Sequence, residues 1–216
     1  AFAAAGGAAA GATATTAAAS AAQVVDDVTR IVSNLGGGAD LVASAAQVMA
    51  GMAGAAVAAG NAPGPLLNSF KSSLTQIISH GAGLSDVASL VDIAKGAIAH
   101  GGNPSQLTTL LNSAAKIFQR FSSAGILQVI AEATGTAGVD GAAVIVSTIR
   151  TVTAMKGSAS DVLAAIQSVA SVLKSAGLGP AQAFAGAPAR LAQAGWSVPN
   201  ILDAMRGLAG TASQAF

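Results

Sequence analysis

Residues 80–118 read HGAGLSDVASLVDIAKGAIAHGGNPSQLTTLLNSAAKIF, and their spacing decides the fold. Val87, Leu90, Val91, Ala94 and Ile98 recur at the helical period and would line one face of a helix. Leu107, Leu110, Leu111, Ala114, Phe118 and Phe121 do the same for the next, opened by Asn103 and Pro104. Each helix follows a His-Gly pair, His80-Gly81 before Ser85 and His100-Gly101 before Ser105, at an offset of twenty residues. The theme returns as Lys156-Gly157 before Ser160-Asp161, then Val162, Leu163, Ile166, Val169 and Leu173, closed by Gly177. A unit of one helix plus one turn, repeated, is the signature of stacked helices.

The same period extends in both directions. Val24, Val25, Val28, Ile31, Val32 and Leu35 share a helical face that Gly36 to Gly38 ends. A second helix runs from Asp40 through Val42, Ala45, Met49, Met52 and Ala56 to Gly60. A third starts at Pro65 and carries Leu66, Leu67, Phe70, Leu74, Ile77 and Ile78. Ile126 to Ala133 and Val144 to Met155 supply further helices around a Gly/Thr break at 134–138, and beyond Pro180 the helices shorten. With no alternation of the strand type, the expectation is an all-α fold of about nine or ten short amphipathic helices, a multi-helix bundle or short α-superhelix. Residues 20–216 form its single domain. Residues 1–19, AFAAAGGAAAGATATTAAA, have no apolar period and read as a low-complexity tail whose glycines oppose one continuous helix.

Composition narrows the function. The 216 residues are 52% hydrophobic but only 3% aromatic and 9% charged, with ten Lys+Arg against nine Asp+Glu. A formal charge of +1 offers no clustered basic surface for phosphates, so nucleic acid is excluded as a partner. There is no cysteine, and the carboxylates and two histidines are scattered, so no metal site, disulfide or thiol nucleophile is expected and no enzyme activity follows. Mean hydropathy is +0.62, and Leu41 to Phe70 carries no charge. Gln47, Asn61, Asn68, Pro63 and Pro65 argue against a lipid span there, since its apolar residues are largely alanine. A chain opening on Ala1 is expected to have lost any leader it carried.

Candidate sites each have a plain structural reading. His80 and His100 could titrate as a pair near neutrality, but each precedes a glycine at a helix end, where imidazole bonds the last carbonyls. Asp40, Asp86 and Asp161 are expected to accept free amides at helix starts. Asp26, Asp27 and Arg30 form an exposed pair network. Glu132 and Asp140, the one available glycosidase-like pair, are separated by the Gly/Thr break. Leu191 to Ile201 has the shape of a helix-turn-helix with Gly195 in the turn, yet Asn200 and Arg206 give its second helix little basic surface, so a structural turn is expected, with Trp196 a core or rim plug. Ala50 and Gly54 would let helices approach closely. Met49 and Met52, with Phe118 and Trp196, form the candidate apolar pocket, for a lipid, carotenoid or other pigment if a cofactor is bound at all.

The polar faces carry Ser, Thr, Gln, Asn and Ala where an ordinary domain has about a quarter charged residues. Ser72, Thr108 and Ser168 are read as members of those faces. Weak repulsion predicts self-association. Together with the Ala/Gly head of residues 1–19 and helices such as AAQVVDDVTRIVS at 21–33, this chemistry resembles the globular helical domains of spider-silk proteins across the chain as a whole. The resemblance implies a secreted, non-catalytic building block that stays soluble in storage and assembles through helices. It assigns no role to His80, His100 or Trp196. Two alternatives stand beside it: a carrier for an apolar ligand, and a membrane-associated structural subunit using 41–62 as a hydrophobic arm.

Overall fold

The chain is seen here as a computed structural model that describes the backbone of residues 5–215 and the side chains of 20–123 and 125–211. Its helices are α1 (Ala5–Asn34), α2 (Ala39–Ala58), α3 (Pro63–Ser79), α4 (Leu84–Ala99), α5 (Pro104–Phe121), α6 (Ala124–Ala154), α7 (Ala159–Ala176), α8 (Leu178–Ala185), α9 (Ala187–Gln193) and α10 (Val198–Ala215). No strand occurs among the described residues, so the all-α expectation holds.

Six of the connections are one turn used repeatedly. After α1, α2, α3, α4, α6 and α9 the chain makes the same pair of bonds, with one residue at positive φ: Gly36, Gly60, Gly81, Gly101, Lys156 or Gly195. The next amide reaches back five residues, from Gly37 to the Val32 carbonyl (3.0 Å), Asn61 to Ala56 (2.8 Å), Ala82 to Ile77 (3.0 Å), Gly102 to Ala97 (2.8 Å), Gly157 to Val152 (3.0 Å) and Trp196 to Leu191 (3.0 Å). This is the Schellman motif, which satisfies the orphan carbonyls of a helix end. The following residue already caps the next helix, as Gly38, Ala62, Gly83, Asn103 and Ser158 do at α2, α3, α4, α5 and α7. Asn103 shows why α5 starts there. Its side chain accepts the Gln106 amide (2.9 Å), the Gln106 side chain accepts the Asn103 amide (3.1 Å), and Pro104 supplies a preset φ.

Identical turns give a regular stack. From α1 to α4 each helix packs on the next and on the one after it, which places α1, α3 and α5 in one layer and α2, α4 and α6 in the other. α7 packs on α6, and α8 and α10 pack on α7. The result is a short superhelix around one continuous core that includes Met49, Met52, Phe70, Leu90, Leu107, Leu127, Ile145 and Ile166. The interior residues read from the period are there: Val24, Val28 and Val32 are buried, while Val25, Ile31 and Leu35 pack at its edge.

α6 is two helices joined at a kink. Ala137 and Gly138 leave helical geometry, and Gly138 takes φ 61°, where the sequence places its Gly/Thr break. The bend is sharp enough that a Cβ on Gly141 would stand 2.3 Å from the Ala133 carbonyl oxygen, although residues eight apart in a straight helix are about 12 Å apart. The first arm crosses α4 backbone to backbone, because a Cβ on Gly96 would meet the Gly135 nitrogen at 2.9 Å.

The amino-terminal segment departs from expectation. Residues 1–19 were expected as a tail without a continuous helix, yet α1 begins at Ala5 and runs through Gly6, Gly7 and Gly11. Alanine is the strongest helix former, and a long helix absorbs isolated glycines at about 1 kcal/mol each. Residues 1–4 of that stretch lie outside the described residues. The third helix also starts at Pro63, two residues before the expected Pro65.

Two substitutions test this construction. A Cβ on Gly138 would lie 2.5 Å from the His100 Cβ, at a φ that side chains resist. Gly138→Ala is expected to lower stability by about 2 kcal/mol or more in chemical denaturation. Lys156, by contrast, occupies a left-handed position (φ 61°) filled by glycine in the five equivalent turns. Lys156→Gly is expected to raise stability by about 1 kcal/mol, and a loss there would refute the shared-turn account.

Candidate functional site

The polar groups singled out in the sequence are mostly spent on helix ends. His80 and His100 are the C-cap residues of α3 and α4, and each donates from Nδ1 to a carbonyl one turn back, Gln76 at 2.8 Å and Gly96 at 3.0 Å. An accepting carbonyl requires the proton on Nδ1. Asp86 accepts the Gly83 amide (2.9 Å) and Asp161 accepts the Ser158 amide (2.8 Å), as expected. Asp40 lies in the first turn of α2, but the cap itself is Gly38 and no side-chain bond is made. Glu132 and Asp140 are exposed on opposite sides of the kink, and Glu132 accepts from Gln128 at 3.2 Å. Among the described residues no three His, Cys, Asp or Glu side chains gather where a metal could sit.

Asp27 does more than the sequence suggested. Besides pairing with Arg30 in its own helix, it accepts from Lys71 of α3 at 2.6 Å and so ties the first and third helices. The Lys71 hydrogen bond lowers its carboxyl pKa, partial burial opposes the shift, and the charges of Lys71 and Arg30 reinforce it. The Asp161 carboxyl is lowered too, through the Ser158 hydroxyl and then the Ser158 amide. The partner lysine, forty-four positions away, was not legible from helical spacing.

The four-residue apolar pocket expected from Met49, Met52, Phe118 and Trp196 is not built. Met49 and Met52 on α2 and Phe118 on α5 fill the core themselves, whereas Trp196 is 48% exposed in the turn between α9 and α10. The methionines face inward because they continue the apolar stripe of Ala45 and Ala56, and the tryptophan occupies a turn position outside any helical face. The Leu191–Ile201 stretch is a helix-turn-helix in the geometric sense, with Gly195 at φ 85°. On its second helix Arg206 is held by Asp203 at 2.9 Å, and Asn200 is exposed. Ser168, expected on a polar face, is buried and donates to the Ala164 carbonyl (3.0 Å), since it lies on the core side of α7 between Ala165 and Val169. Thr108 is half-buried and Ser72 exposed.

Two surfaces stand out instead. The first is the outward face of α2, where Ala43, Gln47, Ala50, Gly54 and Val57 are exposed, Val57 to 64%, and the one exposed charge on the helix, Asp40, lies in its first turn. Only 28% of this helix's apolar window is buried, against 56% in α6, the other helix long and apolar enough to cross a membrane. A hollow of about 220 Å³ beside it is lined by Ser44, Gln47, Val48, Gly51, Ile98 and Lys95.

The second surface is a groove between α5 and the second arm of α6, residues 139–154. Two adjoining hollows, about 300 and 420 Å³, share Ser113, Val146 and Arg150. Ser105 and Val139 lie at one end and Phe121 and Ala154 at the other, so the two helices run in the same direction along it. Leu110, Val146 and Ile149 are its buried floor. The Arg120 guanidinium sits 5.5 Å from the centre of the Phe121 ring. Ala50 and Gly54 of the first surface were legible from α2 alone, whereas the groove could not be found by reading one helix at a time.

No family model matches the chain, and no curated protein and no solved structure is similar to it at a significant level.

The lowered carboxyls set a pH response. A carboxylate whose folded pKa is depressed stabilises the fold above its unfolded pKa, about 3.9 for aspartate, and the benefit is lost as pH falls through the folded value. Asp27→Asn and Asp161→Asn are each expected to be less stable than the unaltered chain at neutral pH. The difference should shrink below about pH 4 in acid unfolding followed by circular dichroism. A gap that persists unchanged at pH 2 would mean that charge is not its cause.

Proposed function

We propose that this chain is a non-enzymatic structural protein whose helices associate with copies of themselves, in the manner its silk-like chemistry implies for a secreted material. The observation that carries this reading is the exposed face of α2. Its positions 43, 47, 50, 54 and 57 alternate by four and three residues, the spacing of a seam between packed helices. Small side chains there permit close approach of helix axes and lose little rotamer freedom on being covered. The low charge of the whole chain supports the same reading, because repulsion between copies is weak.

The charge-free segment 41–62 also suggested a membrane arm. In the fold its α2 turns Ala45, Val48, Met49, Met52 and Ala56 toward the protein's own core, leaving outward one strip of mostly small residues interrupted by Gln47. A strip of that kind fits a protein partner of matching shape better than a surrounding lipid phase, which rewards apolar residues on all sides.

Sedimentation equilibrium tests the proposal. The unaltered chain is expected to associate with rising concentration, and Ala50→Lys with Gly54→Lys to weaken association at least tenfold while helical content is kept. A chain that stays monomeric at millimolar concentration and low salt ends the self-association reading. Association that the two lysines leave unchanged moves the contact away from α2.

A further inference from the structure

The geometry points to a ligand site in the α5–α6 groove: it binds a single-chain amphiphile with an anionic head, of which a free fatty acid is the simplest. The head lies among Lys116, Arg120 and Arg150, and the tail runs over Leu110, Val139 and Val146. Three of the chain's ten Lys+Arg converge on one end of this groove, and none of its nine Asp+Glu lines either hollow. Where charge is so scarce, three cations without an opposing carboxylate are a marked local field.

The rest of the groove matches the rest of such a molecule. Its floor is apolar and its rim carries Ser105, Thr109, Ser113 and Ser147, an arrangement that accepts a hydrocarbon chain between polar edges. Ser105 and Lys116 are separated along α5 by about 16 Å at the helical rise. That is the length of an extended chain of about thirteen carbons at about 1.25 Å each. Thr153 lines the same hollow as the three cations, and its hydroxyl, enclosed from solvent, has no hydrogen-bond partner among the described residues. Apolar burial supplies the affinity. The cations, being exposed, choose the head group and set direction more than they add strength.

This site differs from the apolar pocket expected from the sequence, and it shares no residue with the exposed face of α2. A chain whose groove is filled can still associate, and a chain that fails to associate can still bind.

Calorimetric titration of the full chain with dodecanoate, dodecylammonium and butyrate tests it, all below the concentrations at which they form micelles. Dodecanoate is expected to bind saturably at one site per chain. Dodecylammonium, with the same tail and the opposite charge, should bind at least tenfold more weakly, and butyrate should not bind measurably. Replacing Lys116, Arg120 and Arg150 together by glutamine should remove the preference for dodecanoate over dodecylammonium. Ala143→Trp, which puts a large ring in the tail half, should abolish binding of both. The ligand series on the unaltered chain stands even if a variant misfolds. Equal binding of the two long-chain ligands overturns the proposal, and so does a preference that survives loss of the three cations. Adsorption to phosphatidylglycerol vesicles without uptake of free dodecanoate also overturns it, replacing a ligand site with a membrane surface.

Discussion

The architecture rests on one backbone constraint, a residue held at positive φ at the end of a helix. In six connections that residue reverses the chain in the same way, frees the next amide to reach back to the helix it has left, and delivers the following residue as the next cap. Because the turn is the same each time, the angle between consecutive helices is set locally, and packing only has to accept it. That is how a sequence with 3% aromatic residues and few large side chains reaches one defined arrangement. A core built mainly of Val, Leu, Ile and Ala offers less shape to choose between packings than one with many aromatic rings, and the turns make the choice beforehand.

The stack is interrupted once, and the interruption creates what is distinctive about the surface. α4 and the first arm of α6 meet without side chains between them at Gly96 and Gly135. The chain then bends at Ala137 and Gly138, where His100 closes over the glycine. A straight α6 would carry its second half past this crossing. The bend instead brings residues 139–154 alongside α5 and leaves the groove between them. A device of backbone geometry thus positions a surface whose chemistry comes from side chains far along the chain. His100 serves twice there, capping α4 with its ring and limiting the kink with its Cβ.

What the sequence disclosed follows from this division. Helices, their buried faces and most of their ends were legible, since each depends on residues within one or two turns, and the repeated His-Gly pairs showed the turn itself. The break within α6 was legible for the same reason. The exceptions are instructive. Residues 1–19 read as a tail whose glycines oppose one continuous helix because glycine was weighed above the alanines around it, and Ser168 was placed outside because a lone serine in an apolar run was read by polarity instead of position. The candidate pocket failed on a different ground. Met49, Met52, Phe118 and Trp196 were grouped by chemical kind, and nothing in helical spacing says whether a side chain lines a hollow or fills it. The groove and the Asp27–Lys71 tie needed the stacking angle, a property of no single segment.

Low charge has opposite consequences at the two surfaces. Over most of the exterior it removes the repulsion and the hydration that keep helices apart, so the face of α2 is suited to another helix. In the groove the same scarcity makes each remaining charge more effective, because Lys116, Arg120 and Arg150 form no ion pair among the described residues. Adding acidic residues across the surface would blunt both properties at once, raising repulsion between copies and supplying internal partners for the three cations. A sparse charge set is therefore a condition for both surfaces. The ion pairs among the described residues, Asp27 with Lys71 and Arg30 and Asp203 with Arg206, are placed where they hold helices or quiet an isolated cation without touching either surface.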